Sequence, residues 1–174
     1  ERDSVMKKIN FNNDWLFRHL DKNEEWTPIS LPHDAMINEP RVLNSEGGTN
    51  TGWFVGEDYE YKKTFLVDES YSNKILILEF EAIYHNAEIY LNNEKIMYRP
   101  YGYTNFYVSL NEHLKIGEIN EIRVIARNKD QPNSRWYSGA GIYRPVYLYV
   151  FKKEHIKLNS LKIRTLSISP ITLD

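Results

Sequence analysis

The segment Ser134-Arg135-Trp136-Tyr137-Ser138-Gly139-Ala140-Gly141-Ile142-Tyr143-Arg144 sets a guanidinium, an indole and a phenol side by side among small residues. A guanidinium offers a planar fork of N–H donors, which suits sugar hydroxyls as well as carboxylates. Indole and phenol rings can stack on the apolar faces of sugars, and Tyr137 adds a hydroxyl for hydrogen bonding. Each residue also has a structural alternative. Arg135 can tether a long loop to an acidic neighbour, and Trp136 or Tyr137 can anchor that loop by burial. Gly139 and Gly141 read as sites of tight backbone turns. Arg144 reads as the partner of a carboxylate, within the same domain or at a domain interface.

A second candidate is Leu31-Pro32-His33-Asp34, where an imidazole follows a fixed proline and precedes a carboxylate. No nucleophile lies at a spacing that would complete a hydrolytic triad. His33 and Asp34 therefore read as hydrogen-bonding supports for loop backbone or for a neighbouring domain. The histidines, His19, His33, His85, His113 and His155, show no metal-ligand spacing, and the chain has no cysteine. Disulfides and thiolate metal sites are thus excluded. No calcium-loop pattern occurs. No cofactor is expected, and a structural Na⁺, Mg²⁺ or Ca²⁺ stays open.

The elements that must hold these residues are strands. A sustained apolar spacing at i, i+3, i+4 and i+7 is absent, whereas short extended runs recur. Residues 59–67, 74–80, 87–91, 95–99, 104–110, 121–127 and 146–151 are the strand candidates. The run 74–80 is apolar on both faces, as expected of a central strand covered on both sides. Asn92-Asn93 supplies a turn between 87–91 and 95–99, because asparagine tolerates positive φ. Pro145 can precede the last run without removing a needed ladder donor. Two long segments lack any period, residues 29–58 and 128–144. Aperiodic stretches longer than about 12–15 residues are uncommon in compact domains and are often functional.

The bulk properties agree with a globular β domain. Thirteen Tyr, seven Phe and four Trp favour pleated, half-buried surfaces. The net charge is −2, with Lys and Arg scattered, so no nucleic-acid face is indicated. No apolar run approaches about 18 residues, so no membrane-spanning helix is expected. The start of the chain is polar and carries no signal-peptide pattern. Met6 reads as a native initiator, which would make a cytoplasmic, bacterial parent protein.

Taken together in order, Leu31-Pro32-His33-Asp34, Gly52-Trp53-Phe54, the stretch from Phe80 to Asn92, Tyr101-Gly102-Tyr103-Thr104-Asn105-Phe106 and the segment ending in Arg144 resemble the amino-terminal domain of glycoside hydrolase family 2. That family contains β-galactosidases, β-glucuronidases and β-mannosidases. The resemblance implies an all-β, galactose-binding-like jelly-roll sandwich over residues 9–153. The polar residues 1–8 read as a disordered or extraneous leader, and the resemblance implies residues 154–174 as the start of a following immunoglobulin-like domain. A (β/α)₈ barrel beyond that would carry two catalytic glutamates, set about 5–5.5 Å apart for a retaining mechanism. This chain would itself be non-catalytic.

In the family, the loop before the Gly-Ile-aromatic-Arg motif reaches over the barrel mouth and touches substrate. Here that loop is 133–141, with Arg135, Trp136 and Tyr137 as the contacting residues. Several relatives carry an aspartate nine residues before the final Arg, where this chain has Arg135. The resemblance favours a β-galactoside as substrate. Two rival readings stand beside it: a free-standing carbohydrate-binding module, and a domain whose motifs serve only packing between domains.

Overall fold

The computed structural model describes residues 6–154, and within them ten strands form two antiparallel sheets packed face to face. One sheet has four strands in the order β1 (Met6–Asn10), β10 (Val146–Lys152), β5 (Lys74–Phe80) and β8 (Phe106–Ser109). The other has six: β3 (Thr27–Ile29), β2 (Trp15–His19), β4 (Asp58–Val67), β9 (Glu118–Arg127), β6 (Ala87–Leu91) and β7 (Glu94–Arg99). This is a jelly-roll β-sandwich. Among the described residues no helix is long and apolar enough to cross a membrane.

Period-2 alternation explains the core. Tyr59 and Tyr61 of β4, Ile122, Val124 and Ala126 of β9, and Ala87, Ile89 and Leu91 of β6 all face inward and are buried. Leu76, Leu78 and Phe80 of β5 meet them from the opposite sheet. A buried side chain of this size contributes about 1.5–3 kcal/mol relative to exposure, so these rows dominate the driving force. Asn92 and Asn93 turn the β6–β7 hairpin with φ of 49° and 70°. Positive φ at both central residues matches the right-handed twist of the flanking strands.

Several expectations need correction. Residues 6–8 are not leader: they belong to β1, which pairs Met6 with Phe151 and Asn10 with Tyr147. β5 is central in its sheet, but only its inner face is fully covered, and Ile75 and Ile77 stay half-buried. The run 104–110 shortens to Phe106–Ser109, because the Thr104 hydroxyl accepts from Arg99 and the Asn105 amide donates to Glu79. Most of the tail expected to open an immunoglobulin-like domain, residues 155–174, lies outside the described residues, as do residues 1–5.

On the outer face of the larger sheet, three strands share one buried carboxylate. Glu60 of β4 is 3% exposed and accepts from Arg18 of β2 at 2.9 Å and from Arg123 of β9 at 3.0 Å. The Arg18 guanidinium lies 4.2 Å from the Trp26 ring centre, and that of Arg123 lies 4.5 Å from the centre of Tyr90. The rings and the guanidiniums together seal Glu60 from water.

Candidate functional site

The two aperiodic segments meet and pair. His33 N donates to Ile142 O at 2.9 Å, and Ala35 N donates to Ala140 O at 2.9 Å. Gly141 exchanges both backbone bonds with Tyr84, at 2.9 and 2.6 Å. These bonds fix the C-terminal base of the 133–141 loop. Its N-terminal base is held by buried Asn128, whose Oδ1 accepts from Asn133 Nδ2 at 2.8 Å, and by the Tyr84 hydroxyl, which donates to Asn133 Oδ1 at 3.0 Å.

Asp34 connects the two segments through its side chain. Its Oδ1 accepts from Met36 N at 3.0 Å and Ala140 N at 3.1 Å, and its Oδ2 accepts from the Tyr137 hydroxyl at 2.6 Å. A Cβ at Gly139 would stand 2.8 Å from Asp34 Oδ1, so only glycine lets the carboxylate approach this closely. Burial, and then the bond to Asp34, push the Tyr137 phenol well above its ordinary pKa, so it stays a neutral donor. Phe54 packs on Tyr137 with ring centres 5.4 Å apart. Asp34→Ala is expected to cost about 1–2 kcal/mol, the value of lost charge-assisted bonds at a half-buried site. It is also expected to speed amide exchange at Ala140, where an unchanged rate would show that the backbone pairing alone holds the loop.

His33 supports the base from below. Its Nδ1 lies 2.9 Å from the Tyr61 hydroxyl, and burial lowers its pKa, so the ring is neutral near pH 7. Burial likewise keeps the Tyr61 phenol protonated. His33 and Asp34 are thus joined to different partners and do not form a catalytic pair. The loop serines also lack a base: Ser134 Oγ and Ser138 Oγ both donate to the Trp136 carbonyl. Among the described residues no group of three or more His, Asp or Glu side chains could hold a metal ion.

The tip of the loop is left to solvent. Trp136 is 61% exposed, which removes its alternative as a buried anchor. Arg135 is exposed, and its guanidinium has neither a hydrogen bond nor an ion pair among the described residues. It therefore tethers nothing among the described residues. Of the two partners expected for Arg144, the one within this domain does not occur among the described residues. Arg144 lies in an open cleft of about 430 Å³ with Glu79, Glu81, Tyr103 and Asn105, yet pairs with no carboxylate among the described residues. Its guanidinium instead sits 5.9 Å from the ring centre of Tyr143.

Two contributors, Asn128 and Asn133, escape sequence reasoning, which weighs Tyr103 as part of an exposed aromatic platform against packing. Tyr103 bonds to Ser138 Oγ at 3.2 Å and remains 41% exposed, so it extends the aromatic surface beside the loop. Asn133 and Asn128 build the loop base through side-chain amides. Their only sequence signal is a pair of Asn residues flanking a Pro-containing turn. What the site can do is bind: it presents a free guanidinium and exposed rings on a rigid base.

Comparisons with known proteins bear on this geometry. The glycosyl hydrolase 2 galactose-binding domain-like model matches residues 15–154. A beta-galactosidase from Bacteroides ovatus is 38% identical over 154 residues, covering 83% of this chain and 18% of its own. A beta-glucuronidase from Formosa agariphila is 28% identical over 176 residues, covering 86% of this chain and 17% of its own. The crystal structure of a glycosyl hydrolase family 2 member from Bacteroides cellulosilyticus superposes with a TM-score of 0.77 at 31% identity, over 82% of this chain and 20% of its own. The chain spans about a fifth of the length of these relatives.

Proposed function

We propose that this chain, which belongs to the glycosyl hydrolase 2 galactose-binding domain-like family, is a non-catalytic domain of a retaining β-glycosidase and lends its 133–141 loop to the substrate pocket. The observation that carries this reading is the contrast within the loop. Its base is fixed by Asp34, Tyr84 and Asn128, while Arg135 and Trp136 at its tip face solvent, with no hydrogen bond or ion pair from the Arg135 guanidinium among the described residues. A rigid base with a free polar and aromatic tip suits contact with a ligand held by another domain. Such a contact raises the rate by positioning the sugar. The hydrolytic chemistry would come from a pair of carboxylates on a separate barrel.

A galactoside is the favoured substrate, in line with the beta-galactosidase relative at 38% identity. Arg135→Ala in the full-length enzyme is expected to lower kcat/KM on an aryl β-galactoside about tenfold or more, or roughly 1.4 kcal/mol. Unchanged kinetics would remove Arg135 from the site. A second reading follows from the same unpaired guanidinium: an acidic sugar would use it as a counter-ion. In that case the loss would be larger on an aryl β-glucuronide than on the galactoside, which separates the two sugars in one experiment.

A further inference from the structure

His19 ends β2 between two carboxylates that come from different segments. Its Nδ1 lies 2.7 Å from Glu24 Oε1, in the turn between β2 and β3. Its Nε2 lies 2.5 Å from Glu39 Oε1, in the long connection from β3 to β4. Ionised carboxylates only accept hydrogen bonds, so both ring nitrogens must donate, and a ring that donates twice is an imidazolium. Glu39 is 8% exposed, and the same oxygen accepts from the Tyr59 hydroxyl at 3.3 Å. A buried carboxylate is tolerated when it is paired and hydrogen-bonded, and His19 is the cation that pairs it.

We propose that His19 is a pH-sensitive latch that, as an imidazolium, clamps the β2–β3 turn and the β3–β4 connection together and, once neutral with a single N–H, keeps only one of its two carboxylate bonds and loosens the clamp. The groups facing it are few. Glu24 and Lys22 come from the turn, Glu39 from the connection and Tyr59 from β4, with the ring of Phe17 at 6.0 Å on the same strand. Lys22 opposes the imidazolium charge but is engaged with Glu57 at 3.4 Å. Asp58, which takes the Leu20 amide on its backbone carbonyl, spends its carboxylate on Arg127.

The sign follows from these contacts. Burial by itself pulls the His19 pKa down, but the bonds to Glu39 and Glu24 outweigh it and leave it above 6.5. A raised folded pKa stabilises the native state fully below the unfolded value, and that contribution fades as pH rises through the folded value. On the acid side, hydrogen bonds from His19 overcome burial and hold Glu24 below 4.5, so the latch stays closed at mildly acidic pH and opens as pH rises through the His19 midpoint. The connection it fastens carries both Asp34 and Phe54, which touch Tyr137. Opening the latch therefore loosens the support of the 133–141 loop, whatever that loop contacts.

The test is ring-nitrogen NMR and amide exchange on the chain across a pH series. Both ring nitrogens of His19 are expected to carry protons at pH 6, with a titration midpoint above 6.5. Exchange in residues 36–53, corrected for the intrinsic pH dependence, is expected to rise about tenfold through that midpoint while β4 and β9 stay protected. Glu24→Gln, in the exposed turn, is expected to lower the midpoint while preserving the fold. His19→Gln should make residues 36–53 exchange rapidly at every pH. A ring with one bare nitrogen at pH 6, a midpoint at or below 6.5, or exchange in residues 36–53 that ignores pH would overturn the latch.

Discussion

Gly141→Ala is expected to destabilise the protein by about 3–4 kcal/mol in chemical denaturation, the sum of an unfavourable backbone and an overpacked core. Gly141 has φ of 84°, outside the range that a residue with a Cβ adopts readily. A Cβ there would also overlap the Tyr61 hydroxyl. Tyr61 has no room to yield: its ring is wholly buried, and its hydroxyl is bonded to His33. Nor can residue 141 move, because its amide and carbonyl are both taken by Tyr84. Gly52→Ala is the control. Its φ of 63° is similar, but its added methyl meets only the Phe54 ring, at 3.8 Å. That variant should lose only the backbone part, about 1 kcal/mol. Equal losses in the two variants would mean that the Tyr61 contact contributes nothing.

Glu60→Ala is expected to cost about 2–3 kcal/mol, measured the same way. Removing one member of a fully buried ion pair costs about 3–5 kcal/mol, because a charge is left stranded. Here the stranded groups are Arg18 and Arg123, whose side chains are 32% and 27% exposed, so water can recover part of their solvation. The loss is accordingly set below that range. The reverse deletion differs in kind. Arg18→Ala leaves the carboxylate buried but still bonded to Arg123, so about 1–2 kcal/mol is expected. The double variant Glu60→Ala/Arg18→Ala should lose less than the sum of the two, since they share one interaction. Strict additivity would show that the two side chains are not coupled.

Seven of the ten strands follow from alternation and turn chemistry, and the β6–β7 hairpin follows from Asn92-Asn93 alone. β1, β2 and β3 escaped for a physical reason. β1 reads Met-Lys-Lys-Ile-Asn, and only Ile9 gives it an apolar row. Its Lys8 is accommodated by lying 3.9 Å from the ring centre of Tyr147 on β10, a partner 139 positions away. β3 is three residues long and contains Pro28, which is tolerated at a sheet edge. The two aperiodic segments stood out in the sequence, but their pairing did not. Asp34 and Tyr137 are 103 residues apart, and neither residue type specifies the other. The Glu60 cluster and the His19 latch were hidden in the same way: each combines charges from strands or turns that only the folded topology brings together.

The pairing of β1 with β10 also has a consequence for biosynthesis. A ribosome releases the first strand of the smaller sheet long before its neighbour exists, because residues 146–152 must emerge before either edge of β10 can be matched. Until then β5 can pair only with β8, and its apolar inner row lies open along one side. Folds dominated by such distant pairings assemble slowly, in about milliseconds to seconds, and are prone to aggregate meanwhile. Nascent chains stalled just short of residue 146 should therefore recruit chaperones, and release past residue 152 should end the need for them.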